Sequence, residues 1–272
     1  MPINLVKSIR GGAVDLIRGL YTSASGMLVE SIRADVTANN LANVNTVAFK
    51  QQRAAVAAFP EMLIYRIEGR QPAGAPAIGT LGTGAAIDEA SADWTVGPLQ
   101  HTGRSLDVAL VESGFFVVEH GEDGVAYTRD GRFNISADGW LVDSMGNRVL
   151  GTAGPIQVVA PGATPGSISF SDDGGVYVDG NRVDELQRVD FENPRALERL
   201  GQNLWQANEW SGEAVPVAAQ VRGESLERSN VNLVSEMVTM IEVQRAYEAN
   251  QRVIQAHDQT LEKAVNELGV VR

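Results

Sequence analysis

Three histidines, His101, His120 and His257, are the residues best suited to acid–base or metal chemistry, and they sit in three separate stretches of the chain. None is spaced from another as a metal-ligand pair would be. Catalysis needs groups whose pKa or nucleophilicity is tuned within one pocket, and this dispersal predicts no such pocket. His257 lies inside a helical pattern, where it reads as a register-setting or solvated residue. Ser113 in "VESGFF" lacks the glycines that flank a nucleophile elbow. "GTLGTG", Gly79 to Gly84, has no lysine and leads into no helix, so it makes a poor phosphate cradle. The acidic turns "SADG" and "SDDGG" lack the ligand ladder and closing glutamate of a calcium loop. The chain has no cysteine, hence neither thiol nucleophile nor disulfide. These residues predict no enzyme, no metal, no cofactor and no small-molecule substrate.

The elements that would have to position such groups carry a different message. A chain of 272 residues is long enough for one large domain or two small ones, and 44% hydrophobic content excludes disorder. A formal charge of −12 and a pI near 4.7 argue against nucleic acid and anionic lipid, both of which need a basic face. No apolar run approaches the roughly 20 residues that span a bilayer. Asp15 and Arg18 interrupt the N-terminal apolar stretch, which makes it a poor secretory signal.

The texture changes twice along the chain. From about Val14 to Val44, Ile17, Leu20, Ala24, Met27, Ser31, Ala34, Ala38 and Leu41 recur at spacings of three and four, as along a helix seam. That seam is rich in small residues and requires a close partner, although an amphipathic helix on a globular core would share the pattern. From about Gly69 to Pro216, alternating apolar runs are punctuated by glycine. Asp-Gly pairs at 123–124, 130–131, 138–139, 173–174 and 179–180 predict hairpin turns that need positive φ. From Asn232 to Leu268 helix returns for roughly 37 residues, about 55 Å. Leu233, Met240, Tyr247, Ile254, Leu261 and Leu268 recur there every seventh residue, with Gln244, Asn250, Gln251, His257 and Asp258 on the flanks. A helix this long exceeds what a small β domain can cover, so its exposed apolar surface implies partners.

The expected fold is α+β. Long N- and C-terminal helices pair as a coiled-coil core, and a central, mainly antiparallel β domain projects from it. The expected boundaries are an N-terminal extension at 1–13, a core helix at 14–45, an extended connecting segment at 46–84, a β domain at 85–222 and a C-terminal core helix at 223–272. Where the first helix ends, "ANNLANVNTVAFK" crowds Asn39, Asn40, Asn43 and Asn45 together. Asparagine is a poor helix-interior residue because its amide competes for backbone groups. Asn43 or Asn45 is expected to take the left-handed C-cap conformation. Asn39 and Asn40 are expected to bond across to the C-terminal helix or to a neighbouring subunit.

Three stretches together resemble the bacterial flagellar rod and hook protein family. "RGLYTSASGM" (Arg18 to Met27) with "DVTANNLANVNTVAFK" is similar to its N-terminal signature. "SLDVALVESGFFVVE" through "GNRVLG" (Ser105 to Gly151) is similar to its first β-domain signature, and Gly223 to Leu268 looks like its C-terminal helix. The resemblance covers nearly the whole chain in order and is closest to the distal-rod and proximal-rod types, the distal slightly favoured through Lys50 to Gly84. It implies a structural subunit without catalysis that stacks helically around a channel with its own copies and with other rod and hook subunits. Leu20, Met27, Asn39, Asn40, Leu41 and Asn43 from the first helix belong to that core, as do Leu233, Met240, Tyr247, Ile254 and Leu261 from the second. It also implies uncleaved export through the flagellar type III apparatus to a basal body that crosses the cell envelope, with surrounding ring proteins as further partners. Phe59 and Leu63 in "FPEML" resemble the export-gate motif of such subunits, and an ordinary apolar turn is the competing reading. The family's helix begins closer to "LYTSASGM" than here, so Met1 to Gly12 reads either as a genuine extension or as a misplaced start. A hook-type subunit, a closed coiled-coil scaffold and a carbohydrate-active β protein are the alternative readings.

Overall fold

The computed structural model describes residues 3–65, 77–121, 124–159 and 166–268. Residues 66–76 of the expected connecting segment and the Asp123 turn fall outside this range, as do the side chains of Ile17 and Leu268. The chain divides into two compact units, one comprising Met1–Asn39, Arg53–Ala90 and Val234–Arg272, the other Asn40–Gln52 and Ser91–Leu233.

The first unit is built on two long helices. Helix α1 spans Ile3–Ala42, 40 residues, so helix begins well before the expected Val14. No proline interrupts it. Helix α2 spans Leu233–Leu268, 36 residues. The residues from Gly223 to Asn232, expected as helix, instead form short strands and loop ahead of it. The connecting segment is more regular than expected. Strand Gln52–Ala58 pairs with Ala85–Ala92, and Met62–Tyr65 pairs antiparallel with Ala77–Leu81. Phe59 turns the chain between them, its N–H donating to the Gly84 carbonyl at 2.9 Å.

The second unit holds a six-stranded sheet in the spatial order Glu198–Gly201, Leu204–Gln206, Gly124–Thr128, Phe115–His120, Arg188–Asp190, Val215–Pro216. Its assigned pairs are antiparallel. The run "FFVV" at its centre shows why a continuous apolar stretch forms a strand here. Successive side chains point to opposite faces, and both faces are covered. Phe116 and Val118 join a core with Val108, Leu110, Phe133, Leu141 and Val149. Phe115 and Val117 join a second core with Val189, Phe191, Leu197 and Trp205.

Two Asp-Gly pairs show different uses of glycine. Asp179 and Gly180, at φ 50° and 80°, form the two-residue loop between paired Val178 and Asn181, the conformation a tight hairpin needs. Asp130-Gly131 makes no such turn. A Cβ on Gly131 would stand 1.7 Å from the Val108 carbonyl oxygen, so close backbone approach selects glycine there.

Candidate functional site

The histidines remain apart. His101 is exposed with Nε2 3.9 Å from a Glu224 carboxylate oxygen, and exposed His120 has Nδ1 3.4 Å from Asn147 Oδ1. His257 lies half-buried on α2. Ser113 Oγ donates to Asp190 Oδ2 at 2.7 Å on the surface, with no histidine bonded to it. Among the described residues no group of three or more His, Asp or Glu is placed to hold a metal.

The asparagine stretch is organised by backbone bonding. Asn40 is buried, and its side-chain amide mimics a strand partner: Nδ2 donates to the Gln52 carbonyl at 2.8 Å while Oδ1 accepts from the Gln52 N–H at 2.9 Å. The helix closes with tightened i→i−3 bonds, Asn43 N–H to the Asn40 carbonyl and Val44 N–H to the Leu41 carbonyl. Asn43 Oδ1 accepts from Thr46 Oγ1 at 3.1 Å, and Asn45 Oδ1 accepts from Arg228 Nη2 at 3.4 Å. Neither Asn43 nor Asn45 takes the expected left-handed conformation; Ala48 does, at φ 56°. The reason is tertiary. The Ala48 N–H donates to the Glu227 carbonyl at 2.8 Å, and that anchor holds a non-glycine residue in a region costing roughly 1–2 kcal/mol.

Immediately after Ala48, the sequence places its aromatic and its cation inward. Phe49 is 1% exposed and lies under the Arg199 guanidinium, 5.1 Å from the ring centroid. Burial lowers the Arg199 pKa. Lys50 enters a buried charge cluster whose hub is Glu227. Glu227 Oε1 accepts from Lys50 Nζ at 2.6 Å and from the Gly97 N–H at 2.7 Å, while Oε2 accepts from Arg129 Nε at 2.9 Å. Lys50 also donates to the Thr95 carbonyl at 2.8 Å, and Arg129 Nη2 to the Glu112 carbonyl at 2.7 Å. The side chains of Lys50, Arg129 and Glu227 are 1%, 2% and 1% exposed. Burial, then the neighbouring Arg129 charge, pull the Lys50 pKa down to about 8 against the opposing pull of Glu227. A lysine lowered this far is a candidate base or nucleophile. Here both named hydrogen bonds end on protein oxygens and the ammonium is sealed from solvent, so the cluster ties chain segments together. It is closed further by Gly97, whose Cβ, if present, would stand 2.1 Å from the Arg228 carbonyl oxygen.

Sequence reading did not find this cluster. Its only local signal is charge at inward positions, as in "VAFK", "YTRDG" and "SLE", and such charges cannot be matched to partners by spacing.

The expected core residues occupy mixed environments. On α1, Leu20, Met27 and Leu41 are half-buried and Asn39 is exposed, whereas the fully covered positions among the described side chains are Ser23, Val29, Thr37 and Asn40. On α2, Met240, Ile254 and Leu261 are half-buried and Leu233 and Tyr247 are exposed. The best-covered heptad on α2 runs through Glu236, Val243, Asn250 and His257. Both helices also leave large apolar side chains in solvent, among them Tyr21 at 68% and Leu28 at 65% on α1, and Val234 at 70% and Met237 at 51% on α2. Phe59 and Leu63 are likewise exposed.

Three family descriptions match the chain in order. Residues 20–50 match the flagella basal body rod protein family, residues 109–178 the D1 domain of the flagellar hook protein FlgE/F/G, and residues 222–267 the C-terminal region of the flagellar basal body rod FlgEFG proteins. The flagellar basal-body rod protein FlgG of Borreliella burgdorferi is 36% identical over 92% of this chain and 98% of its own length. The FlgG of Bacillus subtilis is 34% identical over 92% and 99%. The flagellar hook-basal body complex protein FlhO of Bacillus subtilis is 32% identical over 94% and 100%.

Proposed function

The chain belongs to the flagellar basal-body rod protein family, and on that premise we propose that it is a rod subunit whose copies assemble helically into a hollow, torque-transmitting shaft. Its relatives are structural rod proteins, and it is a structural protein of the flagellar basal body and not an enzyme. The relatives named FlgG favour the distal over the proximal rod. In this reading α1 and α2 pair as a coiled-coil core, and the exposed apolar residues of both helices contact neighbouring rod or hook subunits. Heterologous contacts that do not close a ring build a filament. The second unit has buried cores of its own. The subunit reaches the rod, across the cell envelope, through the flagellar type III export apparatus, Phe59 and Leu63 being the residues offered to it; ring proteins surround the shaft.

The observation that carries this reading is the exposed apolar surface on two long helices in a chain that aligns over 92% of its length with a rod protein. Deleting residues 253–272 tests it. Assembly and motility are lost while the tryptophan fluorescence of the second unit keeps its folded signature. Filaments built by the truncated chain would overturn the reading.

A further inference from the structure

Glycine is the poorest ordinary residue in a helix interior, yet α1 carries Gly19 and Gly26 along its length. Each lies against a polar side chain of α2. A Cβ on Gly19 would stand 2.5 Å from His257 Nε2, and one on Gly26 would stand 2.9 Å from Asn250 Nδ2. The glycines are one heptad apart and so are the polar residues, and number rises on α1 as it falls on α2. The two contacts therefore repeat along one antiparallel seam.

We infer that Gly19 with His257 and Gly26 with Asn250 are the register keys of the helix pair, an inference that rests on the pairing of α1 with α2 proposed above. A seam of small and aliphatic side chains can slide, whereas polar residues on it fix register at some cost in stability. Here each polar side chain faces a glycine, and because Gly12, Gly19 and Gly26 recur a heptad apart, the keys act against slips of a single turn. A slip of one turn in either direction brings Thr22, Ser23, Val29 or Glu30 opposite Asn250 in place of glycine. Each of those carries a Cβ that would turn the end of the Asn250 side chain out of its present place. The cleft of about 300 Å³ between Glu30, Ser31 and Ala34 of one helix and Val243, Gln244 and Tyr247 of the other continues the seam beyond the second key. This role accounts for two observations that apolar periodicity alone does not explain: glycines inside a helix, and polar residues on the covered stripe of α2.

Because the chain has no cysteine, a pair introduced at Ser31→Cys and Gln244→Cys gives one defined cross-link with a short bis-maleimide in intact cells. In the otherwise native full-length chain this pair cross-links efficiently; failure there would defeat the helix pairing itself. Adding Gly26→Ala lowers the yield severalfold, although alanine is the better helix former. Adding Asn250→Ala to Gly26→Ala restores it, because the added methyl then fills the space the amide left. Gly19→Ala and Gly19→Ala/His257→Ala behave in the same way. An unchanged yield in the single alanine variants, with efficient cross-linking in the parent, would overturn the keys and leave the pairing standing. A loss that the double variants do not reverse would overturn them equally.

Discussion

The Lys50–Glu227–Arg129 cluster makes an unequal demand on its members, and Glu227→Gln measures it. The cluster holds two cations and one anion in near-complete burial. Replacing Glu227 with glutamine keeps the volume but leaves two buried cations facing each other and turns one of the hub's two acceptors into a donor. Removing one partner of a buried ion pair costs roughly 3–5 kcal/mol. Lys50→Met has the opposite character: it removes the excess cation and leaves Arg129 and Glu227 balanced at 2.9 Å. What it loses is a charged hydrogen bond of roughly 1.5–3 kcal/mol, offset by relief from desolvating an ammonium, so the net loss is about 0–2 kcal/mol. For a domain of this size each kcal/mol shifts Tm by roughly 2–4 °C, so Glu227→Gln lowers it by about 6–20 °C and Lys50→Met by no more than about 8 °C. The assay is thermal unfolding followed by intrinsic fluorescence. All four tryptophans, Trp94, Trp140, Trp205 and Trp210, lie in the second unit, and Trp94 packs on Trp205 with ring centroids 4.6 Å apart. A Lys50→Met loss equal to or larger than that of Glu227→Gln would refute the charge-balance reasoning.

The same lysine sets a pH dependence. Its pKa is about 8 when folded and near the ordinary 10.5 when unfolded, so between those values the unfolded chain holds more protons and stability rises with pH. Urea titrations at pH 7 and pH 10 are expected to show this rise, up to about 3 kcal/mol, in the wild-type chain and not in Lys50→Met; parallel curves would contradict it. Gly97→Ala drives a methyl toward the Arg228 carbonyl oxygen and is expected to cost about 2–4 kcal/mol in chemical denaturation, in the range of strain mutations. A loss below about 1 kcal/mol would show that the backbone yields there. Asn40→Ala removes both bonds to the Gln52 backbone and is expected to cost about 2 kcal/mol at roughly 1 kcal/mol per bond, measured by the same denaturation curves. Asn40→Asp keeps the acceptor but not the donor, and it is expected to fall between Asn40→Ala and wild type.

The long helices were legible because their signal is periodic and local. Leu233 to Leu261 at heptad spacing identifies α2 whatever it packs against. The choice of covered face was less legible. The three-and-four spacing pointed to Ala24, Ser31 and Ala38, which are exposed, and passed over Ser23 and Thr37, which are covered. Spacing marks a helix face by its apolar residues, whereas burial also takes in small polar ones such as Ser23 and Thr37. The helix end shows the same division. The asparagine cluster marked where α1 stops, but the left-handed residue is Ala48, because a carbonyl from the strand Ser225–Glu227 holds its N–H.

By itself the sequence determined two long helices flanking a β region, the antiparallel character of that region and the dispersal of potentially catalytic groups. All of these depend on residues within a few positions of one another, or on composition. The tertiary structure alone decided that Lys50 meets Glu227 across 177 residues and that Arg129 meets it across 98. It also decided that Asn40 serves as a strand partner for Gln52 and that Gly97 and Gly131 are needed for close approach. Buried charges and backbone contacts are satisfied by whatever the fold brings near, and no periodicity along the chain encodes that proximity.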